Sequence, residues 1–296
     1  MMKKVVCAAL ICALMLCGTV ALGENIVTAE SLLAGNDLGR CLSMGQYTRQ
    51  YVSYYDAAGE VCGYNDIIYK RDGMGYNTLV IYPANDGQDG VGAELTGGNF
   101  YATFEAGVPT YDLYASPAYA TAGSQLTISP GAYIAYPAMH EGLELKGDDA
   151  GNYVVTAALK GDKCDQSVVA ANGHDVTAAD TVYNEFVYDH DTMALLSETL
   201  YYERDGVRRV CEYTTYEYNV DGSVYEQYAS GADMRTLSVV LEPGTPNQAK
   251  MSFNVRADGK VRFNMNAVLY SDEACTQAVQ SEGDCAAFTQ ETYYAR

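Results

Sequence analysis

The chain has no tryptophan, only 6 phenylalanines in 296 residues, 7 prolines, and 18 basic residues against 38 acidic ones. Each shortage closes something off. Sugar-binding clefts lean on tryptophan platforms, so the missing indoles weigh against a glycan cleft, although tyrosine can substitute. A formal charge of −20 repels nucleic acid and anionic membranes, and both drop out as partners. Two of the few cations, Lys3 and Lys4, lie in the first residues, so the remainder is more acidic still. That acidity suits solubility first, and cationic or calcium-associated partners second.

Catalytic signatures are missing too. No His-Glu-x-x-His, Gly-x-Ser-x-Gly or Ser-x-x-Lys occurs, which removes the commonest marks of zinc peptidases, serine hydrolases and β-lactam-type enzymes. No two cysteines stand at Cys-x-x-Cys spacing, so neither a redox motif nor a zinc knuckle is supported. The three histidines, His140, His174 and His190, each neighbour an acid, but in a chain this acidic such adjacency is expected by chance. Around Asn85–Gly90, an EF-type calcium loop fails because Gly87 and Thr96 stand where oxygen ligands are needed. Glu198, Glu203, Glu212 and Glu217 are the acids a glycosidase would recruit. Nothing singles out a pair, and alternate positions on a strand read as solvent-facing. The expectation is no enzyme, no cofactor and no metal.

What is present begins with a leader. Lys3 and Lys4 precede an apolar run from Val5 to Cys17, and Ala21-Leu22-Gly23 offers small residues at both cleavage-determining positions. Residues 1–23 read as a secretory signal, its apolar run too short for a comfortable membrane span. Lipid attachment at Cys17 is the weaker reading, because Leu16 stands where a bacterial lipobox takes a small residue. No later apolar run is long enough to span a bilayer. The mature chain is thus expected to be secreted or held at the cell envelope.

Cys41, Cys62, Cys164, Cys211, Cys275 and Cys285 remain beyond the leader. An even number in an exported chain favours disulfides. Sequence order suggests Cys41–Cys62, Cys164–Cys211 and Cys275–Cys285, each closing one structural block.

Tyrosine is abundant, at 27 residues. It clusters with Val and Thr in short runs separated by turn chemistry every ten residues or so, the mark of an all-β chain. A short helix is expected near Thr28–Ala34, with Thr28 as N-cap and Glu30 in the first turn. Strands follow over Tyr47–Tyr55, Glu60–Lys70, Tyr76–Tyr82, Asn99–Phe104, Thr110–Tyr114 and Tyr153–Lys160. Pro83–Gly98 and Glu144–Asn152 read as turn regions, and a short helix is possible near Thr177–Thr181. Tyr183–Tyr228 reads as a four-stranded meander, since Asp205-Gly206 and Asp221-Gly222 are strong hairpin signals. Thr236–Leu241, Met251–Val255, Lys260–Asn264 and Ala267–Tyr270 make four more strands. The expected division is a curled antiparallel domain over residues 24–232 and a small β module over 233–296.

Tyr183-Asn184-Glu185-Phe186-Val187-Tyr188-Asp189-His190-Asp191-Thr192, leading into Leu195-Leu196-Ser197 and Tyr201-Tyr202-Glu203-Arg204-Asp205-Gly206, follows the early Tyr54-Tyr55-Asp56-Ala57-Ala58-Gly59 hairpin and short helix. Over about residues 24–230 this pattern resembles the LolA-like lipoprotein-carrier superfamily of exported half-barrels. The resemblance implies a sheet curled around helices, with a concave side that takes up an acyl chain, lipid or peptide segment. Such cavities are lined by Leu, Ile and Met, whereas this chain is rich in tyrosine.

The function expected is a non-catalytic envelope protein binding a hydrophobic small molecule, lipid or peptide segment on a tyrosine-rich sheet face, through Tyr201, Tyr213, Tyr216 and Tyr218. The alternative is a cell-surface interaction or structural module contacting a protein or glycan. If the six mature cysteines are paired, alkylation of the exported protein without reductant leaves all of them unlabelled; labelling of any one breaks the scheme.

Overall fold

The structure, a computed structural model, describes residues 27–34, 45–72, 75–83, 91–97, 100–114, 142–160, 172–177, 179–230, 233–264, 268–280 and 290–296. It is mainly β, with a curled sheet and short helices. Helix α1 is Ala29–Ala34. A first meander runs β1 Tyr47–Tyr55, β2 Val61–Asp72, β3 Gly75–Pro83, β4 Val91–Thr96, β5 Phe100–Glu105 and β6 Val108–Tyr114. A second runs β7 Gly142–Gly147, β8 Tyr153–Lys160, β9 Thr181–Tyr188, β10 Leu195–Arg204 and β11 Val207–Tyr218. Helix α2 is Ser223–Ala229. The remaining strands are β12 Met234–Leu241, β13 Ala249–Arg256, β14 Lys260–Asn264, β15 Leu269–Tyr270, β16 Ala278–Gln280 and β17 Thr292–Ala295.

Within each meander, neighbours in sequence are antiparallel neighbours in space. The two meanders join where β1 pairs antiparallel with β11, from Thr48 opposite Tyr218 to Tyr54 opposite Glu212. With β14 added parallel to β6, the result is a 12-stranded sheet. The other C-terminal strands form a 5-stranded sheet in the order β13-β12-β17-β15-β16.

Strand alternation gives the large sheet two unlike faces. The inner face is the one α1 covers: Ala29 and Leu32 pack against Val155, Phe186, Tyr188, Leu195 and Tyr216 of the second meander. On the first meander it is the opposite, outer face that is covered. There Ile68, Leu79, Leu95, Phe104, Tyr111 and Leu113 share one core with Leu237, Val239, Phe253, Val255 and Tyr293. Residues of the expected 233–296 module therefore both contribute a strand to the large sheet and pack on it.

Four expectations need correction. The run after Asp221-Gly222 is helix α2, not a strand, and Tyr225 and Tyr228 lie on it. Asp221 holds the Ser223 amide and hydroxyl and so starts a helical turn. Tyr225 is then buried beside Tyr47, and Glu226 accepts from the Tyr47 hydroxyl at 2.6 Å and Lys70 at 2.5 Å. A side chain at Gly222 would meet the Tyr47 ring at 2.3 Å, so glycine is what lets the helix start so close to β1. Second, β4 lies within the expected turn region 83–98. Third, β7 occupies Glu144–Gly147, and the turn there is only Asp148–Gly151, its amides held by the Asp148 carboxylate. The Asn85–Gly90 loop and Ser116–Ala138 lie outside the described residues. Fourth, where a short helix is expected near Thr177–Thr181, the Asp180 carboxylate accepts from the Thr177 amide and hydroxyl, and α1 and α2 are the helices among the described residues. Asp205-Gly206 does make its hairpin, with φ of 55° and 73° as a primed turn requires.

No disulfide joins two described cysteines: Cys62 is exposed, Cys211 buried and Cys275 intermediate. Their expected partners Cys41, Cys164 and Cys285 lie outside the described residues.

Because one core holds both the first meander and the C-terminal strands, Phe253→Ala is expected to cost about 3–5 kcal/mol. It should lower the urea midpoint of the whole molecule in a single transition. A separate early transition confined to a small part of the signal would show that the C-terminal strands fold independently.

Candidate functional site

The outer face of the second meander has no layer of described strands or helices over it. It carries Tyr183, Glu185, Thr199, Tyr201, Arg208, Tyr213 and Thr215, brought together by the β9–β10–β11 register. Tyr183 and Tyr201 stack with centroids 5.0 Å apart. Arg208 lies 3.7 Å above the Tyr201 ring and pairs with Glu185 at 3.1 Å. Across the seam Tyr51 and Tyr64 stack at 5.8 Å beside Arg49, itself gripped by both Asp66 oxygens at 2.7 and 2.8 Å.

At one end of this face lies a half-open groove of about 570 Å³, between the β1–β2 turn and the β10–β11 hairpin. Tyr55, Asp56, Ala57, Thr199, Arg209 and Tyr213 are among its lining residues. The turn is rigid because Asp56 accepts from both the Ala58 and Glu60 amides. The lining is largely apolar carbon, and Tyr213 is 38% exposed.

The inner face at the seam is a buried polar row. Asn184 donates to Glu198 at 2.8 Å, Tyr69 donates to Gln50 at 2.6 Å, and Gln50 donates to Tyr216 at 3.4 Å. Thr214 donates to the half-buried Glu212 at 3.3 Å. Thr48 Oγ1, Thr78 Oγ1, Asn184 Oδ1 and Glu198 Oε2 are buried with no hydrogen-bond partner among the described residues. Buried polar atoms are normally paired, so this row has hydrogen-bonding capacity to spare. Burial pushes the Glu198 carboxyl up to about 8, and the Asn184 and Tyr216 hydrogen bonds only partly oppose it. Glu212 is raised for the same reason, chiefly burial. The expectation of solvent-facing acids therefore fails at Glu198 and Glu212, which point inward, whereas Glu203 and Glu217 are exposed.

No family model matches the chain, and no curated protein matches it in sequence. Among solved structures, LprF from Mycobacterium bovis is similar at a TM-score of 0.38 and 12% identity, over 64% of this chain and 91% of that one. The Mycobacterium tuberculosis lipoprotein LppX is similar at 0.37 and 10%, over 66% and 98%. MucB, solved in complex with MucA(peri), is similar at 0.33 and 14%, over 77% and 74%.

The four tyrosines expected to bind do not share one surface. Tyr213 lines the groove, and Tyr201 sits beside it, paired across the strands with the groove residue Val210. Tyr216 belongs to the inner row. Tyr218 lies on that inner face near α1, its hydroxyl donating to the Leu195 carbonyl at 2.5 Å. Sequence reasoning missed Tyr55, Thr199 and Arg209, which only the approach of a turn to a distant hairpin brings together. His174 is buried, its Nε2 2.8 Å from the Tyr55 carbonyl, and His190 stacks on Tyr153. His140 lies outside the described residues. Among the described residues no three His, Cys, Asp or Glu side chains converge as a metal site would require, and no helix is long and apolar enough to cross a membrane.

The buried acid makes stability depend on pH. The folded chain holds the Glu198 proton up to about 8, whereas an unfolded carboxyl releases it near 4.5. The fold therefore binds more protons, and its stability falls as pH rises between those values. Glu226 works the other way. Burial raises it, but Lys70, Ser230 and Tyr47 outweigh that and hold it at about 2, so its contribution is lost as pH falls from 4.5 toward 2. Glu198→Gln is expected to raise the melting temperature by a few degrees at pH 8 and to leave it unchanged at pH 4.5. Thermal melts at both values check this, and an equal shift at both would remove Glu198 as the cause.

Proposed function

We propose that the protein is an exported, non-catalytic binding protein of the bacterial envelope. It takes a hydrophobic or peptide-like ligand on a tyrosine-rich face of its curled sheet. The observation that carries this reading is the groove of about 570 Å³ on the open outer face, apolar in most of its lining and flanked by Tyr55 and Tyr213. Its volume falls in the range of small-molecule sites, and a largely apolar wall with a few placed polar groups is what such sites offer. Tyrosine supplies contact area at low entropic cost and a hydroxyl for orientation. Tyr201 belongs to the same patch. Tyr216 and Tyr218 would act by holding the seam behind it.

A second reading is a surface module whose same face contacts a protein or glycan. It is favoured by Val207, 53% exposed on the groove wall, and by Val61, 60% exposed opposite Tyr55.

Native mass spectrometry of the exported protein should reveal a co-purifying small molecule or peptide. Tyr213→Ala should weaken its retention by about tenfold, the loss of one well-packed aromatic anchor. A protein that carries no such mass, and whose added apolar ligands leave the Tyr213 and Thr199 resonances unmoved, sinks the ligand reading and leaves the surface-contact one.

A further inference from the structure

Three charged side chains line the groove, and two of them are already engaged. Asp56 is held by two turn amides. Arg208 is paired with Glu185 and lies over Tyr201. Arg209 is the exception. Its one hydrogen bond among the described residues is a long one, Nη1 to the Ala57 carbonyl at 3.4 Å. Its Nε is shut off from water with no partner among the described residues, and none of the described salt bridges involves it.

We propose that the groove selects a small carboxylic acid with an apolar body, its carboxylate held by Arg209 and its body lying against Tyr55, Val210 and Tyr213. The proposal rests on the ligand-binding reading of the groove and names the class of ligand.

The guanidinium geometry argues for it. With only Nη1 engaged, the Nε–Nη2 edge is the unused side of the fork, the side that grips a carboxylate through two parallel bonds. Leaving Nε desolvated and unpaired is costly, whereas a small swing of the side chain into the groove exchanges a 3.4 Å contact for two charge-assisted ones. Charge points the same way. In a chain of net charge −20 an anion is repelled from most of the surface, whereas this groove carries two guanidiniums, Arg208 and Arg209, against the one carboxylate of Asp56 in its lining. The apolar wall sets the other half of the specificity, since a simple inorganic anion would leave Tyr213 and Val210 uncovered.

The test compares phenylacetate with its neutral isostere phenylacetamide on the full exported protein, following the Thr199 and Val210 amide resonances by titration. The acid is expected to bind at least about tenfold more tightly than the amide, the worth of one charged hydrogen-bonded pair. Arg209→Met should abolish that preference, and Arg209→Lys, which keeps the charge but not the fork, should retain only part of it. Equal binding of acid and amide by the unaltered protein overturns the carboxylate site and leaves the groove reading standing. So does a preference that survives in Arg209→Met. Failure of both compounds to move the groove resonances sinks the groove reading and the carboxylate site together. The acid-against-amide comparison needs no variant, so it holds even if Arg209→Met does not fold.

Discussion

Everything else in the molecule depends on the pairing of β1 with β11. Each meander zips up from strands adjacent in sequence, but the two are joined through residues far apart in the chain, Thr48–Tyr54 against Glu212–Tyr218. Such non-local pairing closes a long loop before it returns any contact, so it must be strongly specified. The specification is chemical. A slip of one residue would turn Arg49 and Tyr51 inward and carry Gln50 and Val52 out, exchanging one face for the other along the whole strand. Tyr69 reaching Gln50 on one side and Asp66 gripping Arg49 on the other hold β1 against β2, while Gln50 reaches Tyr216 of β11.

The seam is also where the covered face changes. α1 shields the inner face of the second meander, and the C-terminal strands shield the outer face of the first. The sheet is thus protected on opposite sides at its two ends. Among the described residues no layer of strands or helices covers the outer face of β9–β11, and the groove opens there, beside the end of the seam. A site at this place follows from the layer arrangement and needs no dedicated cavity. Glu198 and Glu212 belong to the same junction seen from behind. A buried carboxyl costs desolvation free energy, and a polar row in the middle of a sheet gains less from burial than an apolar one. What the row offers in exchange is directional bonding between strands that sequence proximity does not align.

Much of the sheet was legible in the residues. The Tyr, Val and Thr runs and the Asp-Gly turns mark β1, β2, β3, β8, β10 and β11 closely, because alternation and turn chemistry are local properties. Helix α2 was not, since Asp-Gly opens a hairpin or a helix according to what the following residues can bury, and Tyr225 finds its burial against Tyr47, far back in the chain. The inward turn of Glu198 was hidden for a related reason. Alternation says which acids share a face but not which face is covered, and the cover here comes partly from α1, at the other end of the sequence. Tyr213 was picked out by its aromatic surroundings. Tyr55, Thr199 and Arg209 carry no motif, and only the proximity of a turn and a hairpin more than a hundred residues apart makes them neighbours.

The same geometry bears on whether the groove could do chemistry. A reacting acid or base must reach the substrate and hold a proton it can give or take near the working pH. Glu198 meets the second condition, at about 8, and fails the first: it is 6% exposed on the inner face, whereas the groove's Thr199 and Tyr213 point the other way. Inside the groove the conditions reverse. Asp56 is within reach, but its carboxylate is committed to two backbone amides, and withdrawing it would loosen the turn that forms the wall. Arg208 and Arg209 bring positive charge and hydrogen-bond donors. The raised Glu198 carboxyl and the groove thus lie on opposite sides of one sheet.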